Sequence, residues 1–482
     1  MRVKRHIVSR WLLLVGMIVV APAVSRAATK DAGSRPNVVY VLADDLGWKD
    51  VGFHGSDIQT PHIDSLAKGG ARLEQFYTQP MCTPSRAALM TGRYPHRYGL
   101  QTAVIPSAGT YGLPTDERLL PQSLAEAGYQ TSIVGKWHLG HADKKYWPQS
   151  RGFDRQYGAL LGEIDYYTHS AHGVVDWFRE GEPLDEKGYA TQLIGDEAVK
   201  QIGAHDTSKP LFLYLTFTAP HAPYQAPQEY VDRYGSIADT NRRTYAAMVT
   251  ALDDQIGRVV KALEDRKMRE NTLIVFASDN GGPRDPKFTG EVDTSGGTTP
   301  ADNGPWREGK GTLYEGGTRV VSLVNWPGHI AAGTVVDQPL HQVDMYPTLA
   351  GLAGASTAGG KPLDGLDAWD TIAAGKPSPR TEVVYGIEPF RAAVRKGNWK
   401  LVWWALLPSR VELYDLARDP GEKANVASAN PEIVKELQAR AESLAKESAP
   451  PFFLTQAAGI AKEAYFGSVA IPGAAKAIEA AP

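Results

Sequence analysis

Cysteine is nearly absent: Cys82 is the one example in 482 residues. A lone thiol closes no intrachain disulfide, so stability has to come from burial of apolar surface, which a chain of this length can supply. No Asn-x-Ser/Thr triplet occurs, which removes the surface signature of an N-glycosylated lysosomal protein. Charge of one sign is not in excess either: 51 Lys and Arg stand against 54 Asp and Glu, for a net charge of −3. With no basic footprint, nucleic acid is excluded as a partner. The apolar run Trp11 to Val20 falls short of the roughly 20 residues that a membrane span needs.

That run has another reading. Arg2, Lys4, Arg5 and Arg10 precede or open it, and small residues around Ala23 and Ala27 follow it. Basic start, short apolar core and small-residue end form an export signal over residues 1–27. No cysteine lies nearby for a lipid anchor, so we expect an exported protein without stable membrane insertion, in a bacterial periplasm or outside the cell.

Asn37 to Ala43, NVVYVLA, is a continuous β-rich run of the kind buried on both faces of a sheet. Tyr129 to Val134, Pro210 to Ala219 and Asn271 to Ser278 are predicted as three further strands. Helices fall between them. One starts at Thr60-Pro61 and stops at Gly69-Gly70; another runs from Leu120 to Ala127 and stops at Gly128. The longest, about Thr240 to Met268, repeats Tyr245, Met248, Val249, Leu252, Ile256, Val259, Val260 and Leu263 at helical spacing. This alternation predicts a mostly parallel sheet covered by helices on both faces.

Ligands of such sheets bind beyond the carboxyl ends of the strands. Here all four strands hand over polar groups at that end: Asp44 and Asp45; Lys136 and His138; His221; Asp279 and Asn280. Any one of them could cap a turn, but four together point to one site. Asp44, Asp45, Asp279 and Asn280 form an all-oxygen set, which favours a hard cation, calcium first and magnesium second, over zinc.

A free cysteine by itself is usually a small buried hydrophobe. The neighbours of Cys82 change that reading. Cys-x-Pro-x-Arg running into Ala-Ala-Leu-Met-Thr-Gly-Arg, within Met81 to Arg93, resembles the signature of the type I sulfatases. In that family a dedicated maturation enzyme oxidises the cysteine to Cα-formylglycine. Pro84 and Ser85 are expected to open a helix, which puts position 82 at a helix N-terminus suited to an anion. GKWHLG, APHAPY and GKGTLYEGG match the family pattern as well.

The resemblance implies an alkaline-phosphatase-like α/β fold, with a large mostly parallel sheet flanked by helices and a small C-terminal antiparallel sheet with a helix. It implies a formylglycine made from Cys82, one Ca2+ (Mg2+ second) on Asp44, Asp45, Asp279, Asn280 and the group at Cys82, and catalytic roles for Arg86, Lys136, His138, His221 and Lys310. One hydroxyl of the aldehyde hydrate would attack sulfur and the other would expel sulfate, which splits a hard hydrolysis into two steps. His221 and Lys310 would assist the leaving alcohol. His138 would take the proton of the second hydroxyl, a task suited to a histidine titrating near neutrality.

YTQPMCTPSR, RGFDRQYGALLGEIDYYTH, KPLFLYLTFTAPHAP and PSPRTEVVYGIEP are most similar to the arylsulfatase B group, the N-acetylgalactosamine-4-sulfatases. That implies the 4-O-sulfate of chondroitin or dermatan sulfate as substrate, or another sulfated polysaccharide or aryl sulfate. Two rivals are a phosphodiester or phosphonate monoester hydrolase, against which Lys136 and Lys310 argue, and an inactive sulfated-glycan binding protein. Pro283 to Pro305, and Tyr166, Tyr167 and His169, are candidate sugar-contact loops. A catalytic domain is expected over residues 28–376 and a C-terminal α+β subdomain over 377–482. In the latter, Arg391 to Trp404 and Val411 to Leu416 read as strands turning at Lys396-Gly397-Asn398, and Pro431 to Lys446 as a final helix. Trp399, Trp403 and Trp404 are assigned to its core, and the tail after Ser448 carries no legible signal.

Overall fold

The computed structural model describes residues 35–288 and 299–466. The expected export signal and part of the Pro283 to Pro305 loop lie outside the described residues.

Five parallel strands carry the site: β1 (Asn37–Ala43), β2 (Gln130–Gly135), β3 (Arg155–Gly158), β4 (Leu211–Thr216) and β5 (Thr272–Ser278). They run side by side in the order β5, β1, β4, β2, β3. All seven residues of β1 are buried, and its side chains alternate between two cores, Val39, Val41 and Ala43 on one face and Val38, Tyr40 and Leu42 on the other. Burial on both faces is why the strand reads as an unbroken apolar run, each large side chain contributing roughly 1.5–3 kcal/mol.

The first face is covered by α1 (Pro61–Lys68), and the second by α2 (Cys82–Thr91) and α3 (Leu120–Glu126). Further along the chain, α4 (Ala190–Gly203) and α5 (Thr240–Asp265) return to the first face, and α6 (Met345–Ala353) to the second. The sheet has ten strands, parallel through its centre as expected, with antiparallel pairs added toward both sides. Ser322–Asn325 joins β5 antiparallel, and Phe178–Arg179 joins β3 antiparallel. These flanking strands are two to four residues long, too short for a periodicity to show.

Helix α2 begins at Cys82, two residues before the expected start, with Pro84 in its first turn. Proline fits there because the first four helical amides have no partner inside the helix. At the C-terminal end, β6 (Glu382–Ile387), β7 (Arg391–Lys396), β8 (Trp399–Trp404) and β9 (Arg410–Asp415) form the expected antiparallel sheet, with one more strand than the sequence indicated. Helix α7 (Pro431–Lys446) packs on it through Leu437, against Trp399 and Trp403. A helix the sequence did not announce, α8 (Phe452–Phe466), follows. Among the described residues no helix is long and apolar enough to cross a membrane.

Candidate active site

The ends of β1, β2, β4 and β5 and the start of α2 bring Asp44, Asp45, Cys82, Arg86, Lys136, His138, His221, Asp279 and Asn280 together, and Lys310 joins them from the GKGTLYEGG segment. All ten are buried.

Position 82 lies at the head of α2 with its Sγ 3.4 Å from Asp44 Oδ1. Burial and the Asp44 charge push the Cys82 thiol well above its ordinary pKa, even with Lys136 and Lys310 close by. A thiol held neutral is a poor nucleophile, so the sulfur itself is not arranged to attack.

Around it, carboxylates and cations interlock. Lys136 donates to Asp44 Oδ2. Arg86 donates from Nε to Asp279 Oδ2 at 3.0 Å, and its Nη1 donates to the Lys136 carbonyl at 3.1 Å. Lys310 donates to Asp45 Oδ2 at 2.8 Å. Burial alone would raise the Asp44 carboxyl, but Lys136, His221, Arg86 and Lys310 outweigh it and hold that group far below the usual carboxylate range. Asp279 goes the other way: burial and the Asp44 charge push it up to about 7 against Arg86 and Lys136.

The two histidines have assignable tautomers. A carbonyl can only accept, so His138 Nε2, 3.1 Å from the Ile105 carbonyl, carries the hydrogen. Nδ1 is then the bare nitrogen, and it is buried with no hydrogen-bond partner. Burial, then Lys136 and Arg86, hold His138 well below its ordinary pKa, so its basic nitrogen is available without a titration near neutrality, contrary to the sequence argument. In His221, Nδ1 donates to the Ala222 carbonyl at 2.6 Å, which leaves Nε2 to accept from Lys310 Nζ at 3.1 Å.

Ligand atoms of Asp44, Asp45, Cys82 and His221 lie within 4.8 Å of one another, close enough to hold a metal ion. Asn280 borders this group: Nδ2 donates to Asp45 Oδ1 at 2.7 Å, while Oδ1 is buried without a partner. An orphaned amide oxygen beside three carboxylates is the donor chemistry of a hard divalent cation, and the residues present fit one. His221 also stands in the group, a nitrogen donor the all-oxygen reading did not include.

A cleft of about 230 Å³ opens from these groups. Val104, Ile105, Pro106 and Leu161 give it an apolar wall, and Glu163, His172 and Lys287 bring polar groups to it. None of these was named individually from sequence; Leu161 and Glu163 fall within the RGFDRQYGALLGEIDYYTH stretch, and Lys287 belongs to the expected Pro283 to Pro305 loop. Tyr166 and His169 are corrections. Tyr166 is buried, and its hydroxyl lies 2.8 Å from the carbonyls of both Thr218 and His221. His169 is buried and stacked on Trp177 at 4.6 Å. Neither faces a sugar; of the three, Tyr167 alone is exposed.

Comparison with known proteins identifies the family. The sulfatase family model matches residues 36–355, and a model described as N-sulphoglucosamine sulphohydrolase, C-terminal, matches 306–447. The chain is 37% identical to arylsulfatase J of Mus musculus over 472 residues, covering 86% of this chain and 77% of that protein. It is 34% identical to human N-acetylgalactosamine-6-sulfatase (Homo sapiens) over 390 residues, covering 77% and 72%. Among solved structures, Ps i-CgsB in complex with k-i-k-neocarrahexaose aligns with a TM-score of 0.78 at 34% identity, covering 87% of this chain and 94% of that one.

Proposed function

The chain belongs to the sulfatase family, and from that premise we propose that it removes a sulfate ester from a glycan outside the cytoplasm, using a group made from Cys82. The observation that carries this reading is the convergence of three carboxylates, Arg86, Lys136, Lys310 and two histidines on position 82 at the floor of a cleft.

A Cα-formylglycine at position 82, once a maturation enzyme has installed it, would supply the attacking hydroxyl, which Asp45 or its neighbour would polarise. Asp44, Asp45, Asp279 and Asn280, together with the group at 82, would hold one divalent cation, calcium before magnesium, which would supply Lewis-acid polarisation. The remaining roles are those of the chain's own side chains. Arg86 and Lys136 orient the carboxylates and place fixed positive charge where the sulfuryl oxygens gain electron density. Lys310, held between Asp45 and His221, faces the cleft and donates to the departing alcohol oxygen. His138 Nδ1 receives the proton released as sulfate leaves.

For the sugar, the 4-O-sulfate of N-acetylgalactosamine in chondroitin or dermatan sulfate is the reading that the sequence stretches favour. A second reading, the 6-O-sulfate, is favoured by relatives named N-acetylgalactosamine-6-sulfatase at 32–35% identity. Release of inorganic sulfate from 4-sulfated and 6-sulfated unsaturated chondroitin disaccharides separates them, with Cys82→Ala as the inactive control. Release from the 4-sulfated sugar alone supports the first reading, and release from the 6-sulfated sugar alone replaces it with the second. Turnover that persists in Cys82→Ala, or a phosphodiester cleaved faster than any sulfate ester, overturns the chemistry.

A further inference from the structure

One wall of the cleft has no support from the sheet. Val104, Ile105, Pro106 and Ser107 form it, and they lie midway along a stretch between Arg97 and Leu120 that contains no helix or strand. The wall nevertheless touches the reacting groups. The Ile105 amide donates to Thr83 Oγ1 on α2 at 3.1 Å, and the Ile105 carbonyl accepts from His138 Nε2 at 3.1 Å. A segment without ladder hydrogen bonds keeps its shape only where other groups satisfy its backbone.

Helix α8 and the residues leading into it do so. Gln456 Nε2 donates to the Ala108 carbonyl at 2.9 Å, and Gln456 Oε1 accepts from the Thr110 amide at 3.1 Å. One side-chain amide thus closes the backbone on both sides of Gly109. The Phe452 amide donates to the Gly99 carbonyl at 2.9 Å, and the Phe452 ring stacks on Tyr111 at 5.5 Å. That ring is so near Gly99 that a Cβ there would meet it at 3.0 Å. Gln101 Nε2 donates to the Ala449 carbonyl at 3.0 Å. Both ends of the loop are fastened, and by a helix that starts after the two family matches stop, at 355 and 447.

We propose that α8 is a specificity element of this sulfatase: through Gln456 and Phe452 it fixes the Val104–Ser107 wall, and with it which sugar ring seats beside the sulfate. The proposal rests on the reading of this cleft as the sulfate-ester site. Asp44, Asp45, Arg86, Lys136 and Lys310 are held by one another, and His138, which the wall holds through Ile105, serves the later release of sulfate, so kcat/KM for a small aryl sulfate should be insensitive to α8 while that for a substrate that leans on the wall should not.

The test is Gln456→Ala in the matured full chain, assayed on 4-nitrophenyl sulfate and on whichever of the two chondroitin disaccharides the wild type cleaves. With both hydrogen bonds of Gln456 lost and water replacing part of them at this exposed position, KM for the disaccharide should rise about 3- to 10-fold while kcat/KM for the aryl sulfate stays within about twofold. Equal changes on both substrates, or none on either, overturn the proposal. Hydrogen exchange supplies a second readout: amides of residues 104–110 should exchange faster in Gln456→Ala, and unchanged exchange overturns the role of α8. If the wild type cleaves the aryl sulfate and neither disaccharide, the chondroitin assignment fails on its own, and the exchange result still decides for or against α8.

Discussion

Lys400→Met should be among the most destabilising single changes in the molecule. Lys400 lies on β8 with no exposure, its Nζ 2.9 Å from Glu315 Oε1 and 2.8 Å from Glu422 Oε1, and 4.0 Å from the centre of the Tyr385 ring. The two glutamates sit on separate segments, so this one ammonium joins the C-terminal sheet to the segment that delivers Lys310. Removing one partner of a buried ionic cluster costs about 3–5 kcal/mol, a large part of a typical domain's stability of roughly 5–15 kcal/mol. The loss should depend on pH. Burial already pushes the Glu422 carboxyl up to about 7, with Glu315 adding to it and Lys400 opposing. Without Lys400 the folded-state pKa rises further above the unfolded value, so the stability associated with the neutral carboxyl is present at acid pH and lost as pH rises through neutrality. Urea unfolding followed by tryptophan fluorescence should therefore show a larger deficit at about pH 8.5 than at about pH 5.5. Adding Glu422→Gln should recover part of it, because a glutamine oxygen can still accept the Glu315 amide that Glu422 Oε2 accepts at 2.7 Å. A deficit below about 1 kcal/mol at the higher pH, the range of an exposed ion pair, or no recovery in the double variant, would refute the reasoning.

Tyr166→Phe should lower kcat about tenfold with KM little changed, since the hydroxyl that fixes the His221 carbonyl is lost, at roughly the worth of one buried hydrogen bond; a change in KM alone would contradict this. Asp45→Ala should lose bound calcium and activity together, measured by elemental analysis of the purified protein, and full metal content would remove Asp45 from the cation site. Asp176 accepts from the Leu160 and Leu161 amides at 3.2 and 2.7 Å, and burial raises it to about 6. Its contribution to stability is present below the unfolded value of 3.8 and lost as pH rises through about 6. Relative to the wild type, Asp176→Asn should accordingly gain stability between pH 4 and pH 7, by up to about 2 kcal/mol; a flat difference across that range would contradict the assignment.

The centre of the fold was legible because its physics is local. A strand buried on both faces, such as Asn37–Ala43, has to be apolar throughout, and a long half-buried helix such as Thr240–Asp265 has to repeat at helical spacing. Seven of the site residues were legible for a related reason, since they sit one to five positions beyond β1, β2, β4 and β5, and Cys82, Arg86 and Lys310 were legible from their motifs. What was missed depends on distant partners. Glu382–Ile387 is a strand because Arg391–Lys396 pairs with it, and Phe452–Phe466 is stabilised by the Gly99 to Tyr111 loop rather than by a strong apolar stripe of its own. Tyr166 and His169 have the composition of sugar contacts, and burial beneath the cleft alone decides otherwise. The low pKa of His138 likewise follows from burial, and then from Lys136 and Arg86 standing nearby in space.

The central claim is that position 82 works as an aldehyde and not as a thiol, and peptide mass spectrometry of the purified protein, made in a host that has the maturation enzyme, tests it most directly. The account predicts a peptide spanning Met81 to Arg86 that carries the aldehyde or its hydrate, is captured by a hydrazide probe and resists thiol alkylation, in protein that releases sulfate. Active protein in which Cys82 is entirely an alkylatable thiol would contradict it.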